Sequence, residues 1–271
     1  MKIKAMYFSA TGTTKKVVEG IAQKLAENLN QDPSYEVVDF TMKDKRETPA
    51  VFEEGDLVVL GTPVIAGRVP NVLLKYLDTI QGNGALAVCV VLYGNRNYDD
   101  ALIELRDIAQ KGGLRPIAAG AFVGEHSFSK ILAAGRPDQE DMKIAESFAD
   151  QISAKVKIGD FREKLEVKGC EPYRPYYMPK DKEGNPYDIR KVTPKTKDTC
   201  TKCNICVEVC PMASIDPEDP SKFVGICIKC GACVKQCPVA AKYYDDEGYL
   251  RHQYELEEQF GPIRREPELF I

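Results

Sequence analysis

Eight of the ten cysteines lie between positions 200 and 237, in two runs of identical spacing, CTKCNICVEVCP at 200–211 and CIKCGACVKQCP at 227–238. Each run reads C-x2-C-x2-C-x3-C-P, and the second repeats the first at an offset of 27 residues. Closely spaced thiolates let one loop wrap an iron–sulfur cube and supply three of its ligands, while the fourth cysteine of such a run ligates the other cluster. This pattern assigns Cys200, Cys203, Cys206 and Cys237 to cluster one, and Cys227, Cys230, Cys233 and Cys210 to cluster two. The expected cofactors are two [4Fe–4S] clusters, tied into one folded unit by their crossed ligands. Pro211 and Pro238 turn the chain away after each crossing cysteine. Zinc is the alternative that C-x2-C pairs raise, but a zinc ribbon needs two well-separated pairs rather than two runs of four.

The remaining thiols have blander readings. Cys89 sits in an apolar strand and reads as a small core residue. Cys170 lies in a polar stretch with no cysteine partner nearby in the sequence.

A second candidate site follows the first strand, in SATGTTKKV. Ser9, Thr11, Gly12, Thr13 and Thr14 lead directly into a helix. Hydroxyls and backbone N–H groups at a helix N-terminus favour a phosphate, aided by the helix dipole. The stretch is neither a Walker loop nor a GxGxxG turn. A short hydroxyl-rich turn suits a terminal phosphomonoester better than a pyrophosphate.

These residues must be positioned by regular elements, and the pattern to about residue 158 alternates strand and helix. Strands are expected at Ile3–Ser9, Tyr35–Phe40, Asp56–Thr62, Ala85–Gly94 and Pro116–Gly124. Helices are expected at Thr14–Leu29, Asn71–Ile80, Asp99–Gly112 and Asp138–Val156, with a weaker one near Lys43–Glu54. The continuously apolar runs LVVLG and ALAVCVVLYG suit strands buried on both faces. The fold class is therefore α/β, a five-stranded parallel doubly wound sheet with ligands at the carboxyl ends of its strands. Residues 159–197, rich in charge, Pro and Tyr, read as a linker. The expected division is 1–158, the linker, a small α+β cysteine domain over 198–245, and a charged tail at 246–271 with a short helix at Gln253–Phe260.

With its S-x-T-G-T-T turn, the first domain resembles flavodoxin, in which such a loop holds the phosphate of FMN. The resemblance implies strand order 2-1-3-4-5 and an isoalloxazine ring between the loops after strands three and four. Those loops contain Pro63, Val64, Ile65, Ala66, Gly67 and Arg68, then Tyr93, Gly94, Asn95, Arg96, Tyr98 and Asp99. Gly67 and Gly94 would let the backbone approach the ring. The chain has no Trp, so Tyr93 or Tyr98 is the expected stacking face, with Tyr98 preferred. Arg68 and Arg96 are each either a cation at the flavin edge, where it would stabilise an anionic reduced flavin, or an ordinary solvated arginine. The loop after strand five, 124–138, carries His126 and Phe128 on the same face; His126 is the one catalytic candidate, either structural or close to the flavin.

The cysteine segment resembles two-[4Fe–4S] bacterial ferredoxins with all eight ligands present. Its one departure is Asn204 where that family has glycine, as at Gly231; Asn tolerates positive φ. Nearly the whole chain resembles flavodoxin–ferredoxin fusion proteins of anaerobes. That likeness implies electron transfer between FMN and the clusters, with redox proteins as partners. Two alternatives are an FMN-dependent reductase fed by its own clusters and a redox or iron sensor. The net charge of −4 and the absence of a basic stripe argue against nucleic acid. No apolar run is long enough for a membrane span, and no signal peptide opens the sequence, so a cytoplasmic protein is expected. The linker would allow the clusters to serve their own chain's flavin or that of a second subunit in a homodimer.

Overall fold

Strand β4 (Leu86–Tyr93) carries no charged side chain, and all of its residues are buried. It can therefore only be a central strand. In the computed structural model, which describes every residue except Asp160 and Arg162, it lies between β3 (Asp56–Pro63) and β5 (Arg115–Val123). With β1 (Lys2–Tyr7) and β2 (Tyr35–Asp39) these strands form a parallel sheet in the order β2-β1-β3-β4-β5. Helices α1 (Thr13–Leu29) and α4 (Gln139–Ile158) bury Val17, Ile21, Phe148 and Ile152 against one face. Helices α2 (Asn71–Leu77) and α3 (Ala101–Lys111) bury Leu73, Leu77, Leu102 and Leu105 against the other. Cys89 lies fully inside the sheet, where burial pushes its thiol up to about 12. The helix expected near Lys43–Glu54 is reduced to a 3-10 turn at Lys43–Arg46; Pro49 cannot continue a helix.

The linker has a defined path along the α3 side. Asp100 accepts from the backbone N–H groups of Cys170 (3.0 Å) and Arg174 (2.7 Å) and pairs with the Arg174 guanidinium. That pairing, with the backbone bonds, holds the Asp100 carboxyl down at about 2. Tyr176 donates to the Val69 carbonyl at 2.8 Å, and the Tyr177 N–H donates to that of Ala66 at 2.9 Å.

The cysteine region has few regular elements: a two-residue antiparallel pairing of β6 (Lys195–Thr196) with β7 (Lys242–Tyr243), and the four-residue helices α5 (Ile205–Glu208) and α6 (Ala232–Lys235). Its buried apolar cluster is only Cys206, Ile215 and Cys233, with a few half-buried neighbours. A core that small cannot hold a domain without cross-links or metal.

The charged C-terminal stretch is built into the molecule. Helix α7 (Glu247–Phe260) is longer than the Gln253–Phe260 turn expected, and Asp246 caps it by accepting from the Tyr249 N–H at 2.8 Å. Strand β8 (Glu268–Phe270) then pairs antiparallel with β5, adding a sixth strand to the sheet. Among the described residues, no helix is long and apolar enough to cross a membrane.

Candidate functional site

The eight clustered thiols divide between two cavities. One, of about 330 Å³ and partly open to solvent, is lined by Cys210, Cys227, Cys230 and Cys233. The other, of about 320 Å³, is lined by Cys200, Cys203, Cys206 and Cys237. Each cavity thus takes three cysteines from one run and one from the other. Among the described residues no three His, Cys, Asp or Glu side chains converge as the ligands of a single metal ion do. The thiols surround a volume instead, which suits a cube of several irons.

The two halves share local geometry. Asn204 and Gly231 start α5 and α6 at φ of 61° and 76°, so asparagine takes the left-handed position that the sequence comparison of the repeats requires. The Ser214 N–H points at the Cys210 sulfur (3.4 Å) and the Ala241 N–H at that of Cys237 (3.2 Å). Burial would raise the Cys237 thiol, but the N–H groups of Lys242, Ala241 and Val239 outweigh it and bring it below the ordinary value. Cys230, more deeply buried, is pushed up to about 12. Such a thiol gives up its proton only to a metal that repays the charge. A further sign of fit is Tyr244, which lines the first cavity with a buried hydroxyl that has no partner among the described residues.

The loop after β1 keeps room for an anion. Gly12 (φ 87°) precedes α1 with open space around the position a Cβ would take. Gly12, at the N-cap, brings no capping side chain of its own, and the first turn holds no acid. Thr11, Gly12 and Thr13 are at least partly exposed. Ser9 and Thr14 have structural duties: the Ser9 hydroxyl accepts from the Lys15 N–H (2.9 Å), and Thr14 is buried against Gly61. The free N–H groups, hydroxyls and helix dipole fit a phosphate.

At the ring end, most of the residues expected to border the flavin have protein partners. Residues 65–68 form a tight turn closed by Ile65 and Arg68, with Ala66 and Gly67 at positive φ. Pro63 ends β3, and the Val64 N–H bonds to Leu92 of β4. Arg68 is not a free cation at a flavin edge. It pairs with Glu104 at 2.7 Å and lies between the rings of Tyr173 and Tyr176. Arg96 pairs with Asp99. Tyr98, the preferred stacking face, is in the core beside Tyr93, with its hydroxyl donating to Glu268 of β8 at 2.9 Å. The approaches opened by Gly67 and Gly94 are filled by the Asp99 carboxylate and the His126 ring. The Asn95 side chain donates to the carbonyls of Phe260 and Ile263 (2.9 and 2.7 Å), tying this loop to the end of α7.

Sequence reasoning missed the aromatic group that does stand at these loops. Tyr177, bonded through its N–H to Ala66, lies under the Arg96 guanidinium (4.6 Å) and stacks on His252 of α7 (5.7 Å). Nothing local in the sequence marks a linker tyrosine and a tail histidine as partners of loops more than 80 residues away.

The family model described as flavodoxin domain matches residues 5–131, and that described as 4Fe-4S dicluster domain matches residues 199–242. The chain joins a flavodoxin domain to a 4Fe–4S dicluster domain. It is an electron-transfer redox protein; the first domain implies FMN, the second [4Fe–4S] clusters. Among solved structures, a flavodoxin from the domain Archaea is 17% identical, covering 58% of this chain and 99% of its own, at a TM-score of 0.41. The Streptococcus pneumonia TIGR4 flavodoxin is 21% identical over 57% of this chain and 99% of its own, at a TM-score of 0.40. No curated protein matches the chain.

The dicluster domain meets the flavodoxin domain through the Cys227–Cys237 run. Lys235 of α6 pairs with Glu125 and donates to the carbonyls of His126 (2.9 Å) and Ser129 (3.0 Å) in the loop after β5. Gly231 comes so near that loop that a Cβ would lie 2.5 Å from the Ser127 carbonyl oxygen. From the other side, Arg46 donates to the Pro211 carbonyl at 2.7 Å, beside Cys210. Aromatic rings fill the junction: Tyr244 stacks on Tyr249 (4.0 Å), Tyr249 meets Phe128 (4.5 Å), and Phe128 meets His126 edge-on (5.2 Å). The His126 Nδ1 accepts from the Phe128 N–H at 3.1 Å. The 124–138 loop is therefore a docking surface.

Proposed function

We propose that this chain passes electrons between one FMN and two [4Fe–4S] clusters, with cluster two beside the flavodoxin domain and cluster one on the outward side. Thr11, Gly12 and Thr13 would hold the FMN phosphate, and the 63–68 and 93–99 loops, joined by Tyr177, would border the ring. The two sets of four thiols would hold the clusters, with Cys210 and Cys237 crossing over. When bound, the flavin exchanges electrons singly or in pairs, and each cluster exchanges one at a time.

The observation that carries this reading is the clamp on the wall of the Cys210, Cys227, Cys230 and Cys233 cavity, made by Lys235 and Gly231 on the second run and by Arg46 on Pro211 after the first. It holds one thiol-lined cavity against the flavodoxin domain of the same chain and leaves the other, with the exposed Cys203, toward solvent. The clamp favours transfer within one chain over transfer between subunits. It also weakens the reductase reading, because the loop that would serve as a substrate lid is occupied in docking.

Protein purified without oxygen is expected to contain about eight irons and one FMN per chain. After flash photoreduction of the flavin, electrons should reach the clusters at a rate independent of protein concentration. A rate proportional to concentration would refute the intrachain route, and zinc in place of iron would refute the cluster assignment.

A further inference from the structure

Lys242 is a buried cation that faces no carboxylate among the described residues. It is 3% exposed and lines the cavity ringed by Cys200, Cys203, Cys206 and Cys237. Its ammonium donates to the Pro220 carbonyl and lies 5.4 Å from the centre of the Phe223 ring. Among the described residues it has no salt-bridge partner within 4 Å. A buried ammonium with one neutral acceptor is costly unless a negative charge lies nearby. The negative groups that its position offers are the thiolates of the cavity, Cys206 and Cys237 among them. At the matching position of the first repeat, 27 residues earlier, stands Ile215, which lines the other cavity. The repeat has therefore placed a cation in one half and an aliphatic side chain in the other.

We propose that Lys242 is the internal counter-charge of cluster one and raises its reduction potential. A cube held by four thiolates is negative, and reduction adds one more negative charge. A fixed cation nearby stabilises the reduced form more than the oxidised one, and burial keeps solvent and salt from screening it. Lys242 is thus a fixed charge that favours the reduced state of cluster one over its oxidised state. Its effect sets how readily the outward cluster accepts an electron from a partner. The inference rests on the cluster assignment made above.

The test compares Lys242→Met with Lys202→Met, which removes an exposed lysine from the same cavity wall. Redox titration of the intact protein, followed by low-temperature EPR, reads both clusters. Lys242→Met should shift one midpoint to more negative potential, equivalent to at least a roughly tenfold change in the reduced-to-oxidised ratio. Lys202→Met and Lys242→Arg should leave that midpoint near wild type. An unmoved midpoint in Lys242→Met with full iron content, or an equal shift in Lys202→Met, would overturn the inference. If Lys242→Met fails to retain iron, the arginine variant decides: a wild-type midpoint there supports the inference, and a shift as large as that expected for methionine rejects it. Wild-type protein without iron would instead overturn the cluster assignment.

Discussion

At the scale of single residues, the crossing cysteines make the sharpest claim. Cys210 follows its own run closely, yet it lines the cavity of the other, as Cys237 does in reverse. Cys210→Ser should therefore damage the cluster beside the flavodoxin domain and spare the outward one; Cys237→Ser should do the opposite. EPR of the reduced variants, combined with iron counts, distinguishes this from loss of each cysteine's local cluster, which would refute the crossing. The thiols were legible in the sequence because ligand spacing is a local property. The ring-end residues were not. Tyr98 and Arg68 occupy the expected loop positions, but Glu268 and Glu104 draw them away. A polar partner brought from a distant element decides where such a side chain points, and spacing within the loop does not encode it.

At the scale of elements, the loop after β5 and the start of α6 form the joint between domains. Gly231 is required there twice over, by its positive φ and by the Ser127 carbonyl against it. Gly231→Ala should destabilise the protein by about 1–3 kcal/mol, from left-handed strain and forced displacement of the loop. It should also slow electron exchange between domains. Asn204→Gly, at the matching position of the outward half, should change the melting temperature little. Equal losses in the two variants, read by thermal unfolding, would show that docking plays no part. The strands and helices of the sheet were readable because periodicity and apolar runs encode burial directly. The C-terminal segment was not: its charges suggest a solvated tail, while Arg264, Arg265 and Glu268 are ion-pair and hydrogen-bond partners of the flavodoxin domain. Their partners become visible only once β8 lies on β5.

At the scale of the whole molecule, the two domains meet around the chain's two histidines, and this gives the junction a pH dependence. His126 is held down at about 3 by burial, with His252, Lys235 and Arg96 adding to the effect. His252 is held down at about 4 by burial, with Arg96 and Arg251 adding. Both are neutral when docked, whereas in an opened junction they titrate near the ordinary value of about 6.5. The open state then binds more protons between that value and the docked ones. Docking is complete above about pH 6.5 and weakens as pH falls below it. The Asp100 latch on the linker loses its charge only near pH 2, so it stays fixed over this range. Lowering the pH from about 8 to about 5.5 should lower the protection of α7 amides, read by hydrogen exchange relative to the intrinsic rate at each pH, and slow flavin-to-cluster transfer, while protection in β4 stays unchanged. Replacing both histidines with glutamine should flatten that response, because the two imidazoles that gain protons on opening over this range would be gone. A response that persists at full size in the double variant would place the titrating groups elsewhere.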